Sequence, residues 1–300
     1  MGSPEFALPA LRALAKNWEV VGVLTQPDRP FGRGRVLRPP PVKALALELG
    51  LPWIQPEKLN RPEVMDQLGR WAPDLIVVTA FGQILRPDVL ALPKRGSLNI
   101  HASLLPRWRG AAPIQAVILA GESLTGVTIM KMDPGIDTGP LLAQSAIRIE
   151  PADTAGSLSD KLSLLGAELI VETVPRYLTG ELPPEAQEES QASYAPLLKK
   201  EDGRLDFNLS GEELLRRIRA FDPWPGAFFQ WDRGLLKVRR ARLQMGQASP
   251  GQRLIFQGSP AVGTRDALLV LEEVQPEGRK SMTGTAFLSG AKSWEDAKHL

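Results

Sequence analysis

Apolar residues recur along the first half of the chain in two alternating rhythms. Residues 7–16 place Leu8, Leu11 and Leu14 at helical spacing, and residues 19–25 form an apolar run of strand type. Short helices are predicted over residues 42–49 and from Pro62, which suits a first helical turn, to about residue 70. Strand-like runs follow at residues 74–80 and 97–100, a helix at 111–120, strands at 126–132 and 141–149, and a long amphipathic helix at 155–178. Apolar strands alternating with helices imply a doubly wound, Rossmann-like α/β domain, with a mainly parallel sheet covered by helices on both faces. Such a sheet ordinarily begins with a strand, whereas this chain passes from Met1 straight into a helix. Either a first strand is absent or something else fills its slot, and residues 1–6 could in part be a cloning remnant.

The pattern changes after Gly180. Residues 181–193 are rich in Pro, Glu, Gln and Ser, the composition of an exposed linker. Ser210-Gly-Glu-Glu213 reads as a capping box opening a helix over residues 214–221, which Pro223 and Pro225 terminate. Short strand-like pieces at residues 227–231, 235–243, 252–257 and 267–274 then suggest a small open β-barrel, OB-like in type. The expected division is a catalytic domain over residues 1–180, a linker over 181–200 and a barrel domain over 201–300.

Composition narrows the chemistry. The chain of 300 residues is 43% hydrophobic and 23% charged, enough to bury a core in each of two domains. It contains no cysteine, which removes thiolate nucleophiles, disulfides and zinc–thiolate sites. It has two histidines, His101 and the penultimate His299, so histidine chemistry rests on His101 and no metal site is expected. No apolar run reaches membrane-spanning length and no secretory leader is visible, so a cytoplasmic protein is expected. The formal net charge is only +2, so any nucleic-acid contact must come from local patches.

The densest chemical signal is Ser97-Leu-Asn-Ile-His101-Ala-Ser-Leu-Leu-Pro-Arg-Trp-Arg-Gly-Ala-Ala-Pro113. Asn99 and His101 are two apart on a strand and so point to one face, at the carboxyl end where open α/β sheets build their sites. Asn supplies a neutral donor and acceptor, His a tunable proton. Further on, Met132-Asp-Pro-Gly-Ile-Asp137-Thr-Gly-Pro140 sets Asp137 in a glycine-flanked loop that could bring a carboxylate to the imidazole. Singly, each residue has a structural reading: a lone His at a strand end is usually a packed residue, and Asp-Thr-Gly is often just a turn. Their order and the fold class together are what make them specific.

With these residues the chain resembles the folate-dependent formyltransferases, and within them the branch acting on methionyl-tRNA. Ser103-Leu-Leu-Pro-Arg-Trp-Arg-Gly-Ala-Ala-Pro113 is close to a signature of that branch, and Asn-x-His with a later Asp belongs to the wider family. Gly2-Ser-Pro-Glu-Phe-Ala7, Thr25-Gln-Pro-Asp-Arg-Pro-Phe-Gly-Arg-Gly34, Tyr194-Ala-Pro, Lys200-Glu-Asp-Gly203, Arg219-Ala-Phe-Asp-Pro-Trp-Pro-Gly226 and Gln275-Pro-Glu-Gly278 extend the likeness over nearly the whole chain. Ser3 stands where Thr is usual, and the strand that precedes this first loop in family members is missing.

The resemblance implies 10-formyltetrahydrofolate as formyl donor and the α-amine of methionyl initiator tRNA as acceptor. It places Asn99, His101 and Asp137 at the reacting centre. Ser103, Leu104, Leu105 and Pro106 would lie along the folate, and Phe81, Gly82, Gln83 and Ile84 would contribute a wall to its pterin. Arg33 aligns with a position that reads the acceptor end of the tRNA. Arg35 and Arg38 belong to the same glycine-spaced basic loop, beginning at Arg29, and Arg107 and Arg109 add basic groups beside the centre. Lys237 and Arg239, alternating on a strand of the second domain, would give the barrel a positive face. A monomer is expected. A formyltransferase acting on a small molecule and a hydrolase releasing formate from the same folate are the rivals, though neither needs the basic loop or a second domain.

Overall fold

The computed structural model describes residues 1–31 and 36–295, so Arg33, Arg35 and His299 lie outside the described residues. The chain forms two compact units, one of residues 1–113, 124–148 and 159–195, the other of residues 114–123, 149–158 and 196–300.

In the first unit the strands Ile76–Val78, Ser97–His101, Leu124–Lys131 and Leu141–Arg148 lie side by side in that order. Within these four strands one pairing, that of the first two, is parallel and two are antiparallel. The loop of residues 132–140 carries no helix that could cross back over the sheet, so the strand it leads into must return antiparallel. A parallel pair, Val23–Leu24 with Trp53–Ile54, stands apart. Met1 and Gly2 stitch the two sets together. The Met1 ammonium donates to Val77 O at 2.7 Å, Thr79 N donates to Met1 O at 2.9 Å and Gly2 N donates to Leu24 O at 3.0 Å.

Beyond this stitch lies an apolar cavity of about 390 Å³, lined by Leu11, Leu14, Val20, Trp71, Leu75 and Ile76 among others. The strands expected over residues 19–25 and 74–80 shrink to Val23–Leu24 and Ile76–Val78, the stretches that have partners. The helix Ala155–Leu178 has the predicted bounds. Within the first unit it buries Leu162, Ile170 and Val174, and Gly166 leaves room for Ile100 behind the Ser97–His101 strand.

Residues 181–195, expected as part of an exposed linker, are mostly exposed but belong to the first unit. Leu141 and Glu185 exchange backbone hydrogen bonds, and Tyr194–Ala195 pairs in parallel with Arg109–Gly110.

The second unit is built on an antiparallel sheet in the order Ala227–Trp231, Gly234–Gln244, Leu268–Pro276, Ser259–Gly263, Arg253–Phe256, with Met282–Thr283 beside Leu268–Pro276. Its core holds Phe229, Trp231, Phe287 and Trp294 in edge-to-face and tilted contacts. The helix Gly211–Ala220 opens with the reciprocal Ser210–Glu213 capping box read from the sequence.

Candidate active site

The strand Ser97–His101 sets the site. Leu98 and Ile100 are buried, while Asn99 and His101 share the other face. Both meet Asp137. Asn99 Nδ2 donates to Asp137 Oδ1 at 3.3 Å, and His101 Nδ1 stands 3.6 Å from Asp137 Oδ2. The backbone N–H of Gly110 donates to Asp137 Oδ2 at 2.9 Å. His101 is buried, while the Asp137 side chain keeps 18% of its surface exposed.

The other imidazole nitrogen, Nε2, lies 2.9 Å from the carbonyl of Trp108. A carbonyl only accepts, so Nε2 carries a hydrogen. A neutral ring would then turn the lone pair of Nδ1 toward the carboxylate; a second proton on Nδ1 makes the pair ionic. Trp108 and Asp137, on opposite sides of the ring, both have positive φ, +60° and +53°. Non-glycine residues rarely adopt this conformation, and it costs of order 1–3 kcal/mol where surrounding contacts enforce it.

The Asp137 loop is shaped by its own short bonds. Asp133 accepts from the Thr138 hydroxyl and from Gly135 N. A Cβ at Gly139 would occupy the space of Lys131 O, so the chain can close here only with glycine.

Residues 103–106 are fixed backbone first. Ser103 Oγ donates to Arg107 O at 2.6 Å. The buried Thr128 hydroxyl donates to Ser103 O at 2.7 Å and accepts from Leu105 N at 3.1 Å. Gln144 Nε2 donates to Leu105 O at 2.8 Å and to the same hydroxyl. Ser103 and Leu105 are buried, whereas Leu104 and Pro106 are half-buried. The segment is a rigid edge of carbonyls and two accessible apolar side chains. Neither Thr128 nor Gln144 carried a sequence signal, since each acts through a strand pairing.

The segment 81–84 is held elsewhere. Ser3 Oγ and Gln26 Nε2 donate to Phe81 O, and Gln83 Nε2 donates to Pro56 O. The Phe81 ring is buried among Leu24, Val78 and Leu85, so its side chain packs the core; Gly82 has φ +79°, and Ile84 is 76% exposed.

Arg109, read from the sequence as a basic group beside the site, is wholly buried. Its Nε donates to Gln187 Oε1 at 3.1 Å and its Nη1 to Glu189 Oε1 at 3.0 Å. The Glu189 carboxylate raises the Arg109 pKa further above its usual value, against burial, and Arg109 in turn lowers that of Glu189.

Arg38 ends the exposed strand Val36–Arg38, which pairs with Arg29–Phe31. In the second unit Lys237 and Arg239 flank the buried Val238, and bulges between Val238 and Ala241 end the alternation there. Arg239 Nη1 donates to Asp222 Oδ1 at 2.7 Å and Nη2 to Gln275 Oε1 at 2.9 Å, so of these two cations Lys237 is the one without an ion pair among the described residues. Among the described residues no three His, Asp or Glu side chains are grouped to hold a metal, and no helix is long and apolar enough to cross a membrane.

Residues 3–174 match the family described as formyl transferase, and residues 197–292 match the formyl transferase C-terminal domain. A methionyl-tRNA formyltransferase of Chloroflexus aggregans is 48% identical over 98% of this chain and 97% of its own length. Another, of Geobacter sulfurreducens, is 49% identical over 97% and 92%. Among solved structures, an N-formyltransferase from Helicobacter canadensis, in complex with folinic acid and dTDP-3-aminofucose, aligns over 90% of this chain and 97% of its own. Its TM-score is 0.66 at 19% identity, a likeness of fold.

Proposed function

The chain belongs to the formyl transferase family, and on that premise we propose that it transfers the formyl group of 10-formyltetrahydrofolate to the α-amine of methionyl initiator tRNA. The observation that carries the reading is the placement of Asp137 between Asn99, His101 and Gly110 N. The relatives named methionyl-tRNA formyltransferase match across both units of this chain, which supports a charged tRNA over a small acceptor.

The reaction needs three things of the protein. The neutral amine attacks the formyl carbon, so the formyl oxygen takes up negative charge and must be met by a donor. Asn99 has a second amide hydrogen beyond the one given to Asp137, and His101 bears a hydrogen on Nε2. The Nε2 hydrogen is engaged by Trp108 O, so Asn99 is the donor at hand and His101 joins it by exchanging that carbonyl for the formyl oxygen. The nitrogen that attacks must then shed a proton. Asp137, partly exposed and paired with His101, accepts it directly or through water. Finally the bond from the formyl carbon to the folate nitrogen breaks, and that nitrogen receives the proton in exchange. The edge of residues 103–106 holds the folate against the site, with Gly82, Gln83 and Ile84 at its pterin end and Phe81 acting from the core. The exchange balances without a covalent protein intermediate.

The basic loop through Arg33, Arg35 and Arg38, with Lys237 on the second unit, grips the tRNA phosphates, while Arg239 braces the strand through Asp222 and Gln275. The antiparallel sheet of the second unit serves as an open barrel of the OB type. The apolar cavity beside Val20 and Leu75 is the slot of one further parallel strand of the catalytic sheet. The protein works as a cytoplasmic monomer.

The test offers 10-formyltetrahydrofolate with charged initiator tRNA, charged elongator tRNA and free methionine in parallel. Transfer to the initiator species alone is expected. Equal transfer to free methionine, or to none of the three, would bring the small-molecule rivals forward.

A further inference from the structure

The segment of residues 187–195 is polar and mostly exposed, yet it is bound along its length to the two stretches that shape the site. Trp108 N donates to Ser193 Oγ, Arg109 N to Ser193 O and Ala111 N to Ala195 O, at 2.8 to 3.0 Å. At the other end the amide of Gln187 donates from Nε2 to Asp137 O at 2.8 Å and to Gly139 O at 2.7 Å. The same side chain accepts at Oε1 from Nε of the buried Arg109. That third bond fixes the orientation of the amide. Arg109 can only donate, so Oε1 must face it and both hydrogens of Nε2 must face the loop.

Asp137 needs such a hold. Its φ of +53° is unfavourable for a side chain with a Cβ, and the bonds from Asn99 and Gly110 N reach its carboxylate but not its backbone. With its carbonyl held by Gln187 and its carboxylate by Gly110 N, Asp137 is fastened at both ends, and each fastening traces to the Arg109–Gly110 dipeptide. We propose that Gln187, oriented by Arg109, is a positioning residue for the formyl-transfer centre, holding Asp137 at its distance from His101. This rests on the functional reading above.

Replacing Gln187 with Leu keeps the bulk and removes both donations. Because Gln187 touches no reacting atom, kcat should fall roughly 10- to 100-fold while KM for folate and for tRNA stays within about twofold. The effect should run through Asp137: in an Asp137→Ala background the same substitution should cost less than about threefold. Gln187→Glu, which keeps the shape but turns an acceptor toward two carbonyls, should act in the same direction. A readout independent of turnover is the ¹⁵N spectrum of the imidazoles. The chain has only two histidines, and the Nδ1 signal of His101 should shift in Gln187→Leu while that of His299 stays in place.

Two results would overturn the proposal: an unchanged kcat with an unchanged His101 signal, or a kcat loss of full size in the Asp137→Ala background. If the wild-type protein formylates no methionyl-tRNA, the functional reading fails, and the imidazole signal still decides the role of Gln187.

Discussion

Asp137 and His101 face each other at 3.6 Å, carboxylate Oδ2 to imidazole Nδ1, across a gap longer than a good hydrogen bond. Every other polar atom of the pair is spoken for: Asn99 and Gly110 N on Asp137, Trp108 O on His101. Asp137 and Asn99 are thus oriented before substrate arrives, which is the condition for a large electrostatic contribution to rate. Removing the amide of Asn99 takes away an oxyanion donor and one of the bonds that orient Asp137. Asn99→Ala should therefore lower kcat by on the order of 10²–10³, about 3 kcal/mol, with little change in KM for either substrate. Steady-state kinetics checks this, and a loss confined to KM would mean that Asn99 only binds.

Thr128 is the hinge pin of the folate edge. Its buried hydroxyl takes part in three hydrogen bonds, with Ser103 O, Leu105 N and Gln144. Thr128→Val preserves the shape and leaves those groups without their partner. Stability should drop by about 1–3 kcal/mol and KM for the folate should rise more than KM for the tRNA. Urea unfolding and separate titration of the two substrates measure both effects.

Lys237 and Arg239 flank Val238 on one strand but differ in availability. Arg239 is engaged by Asp222 and Gln275, while Lys237 has no such partner among the described residues. Lys237→Ala should weaken tRNA binding and lower the slope of log affinity against log salt by about 1. Arg239→Ala should instead reduce stability, because it strands Asp222. Binding isotherms at several salt concentrations separate the two.

Much of this arrangement is legible in the chain itself. The period of two puts Asn99 and His101 on one face, the capping box marks Ser210–Glu213, and the helix Ala155–Leu178 follows from its apolar spacing. What escapes is set by contacts distant in sequence. Arg109 reads as a basic group beside the centre, and its burial is not legible because Gln187 and Glu189, which allow it, lie far along the chain. Residues 181–193 read as linker because their side chains are polar, yet the segment around Ser193 and Ala195 binds through its backbone, which composition does not record. The bulges after Val238 reset an alternation that looks continuous in sequence, and the burial of the Phe81 side chain in the core is not visible in a segment whose neighbours Gly82 and Gln83 read as a loop.

The most direct measurement is single-turnover formyl transfer to charged initiator tRNA by the wild-type protein and by Asp137→Ala, with enzyme in excess over tRNA and saturating folate. The account predicts rapid transfer by the wild type, and a rate at least about 100-fold slower in the variant with undiminished tRNA binding. Transfer at the same rate by both proteins would contradict it.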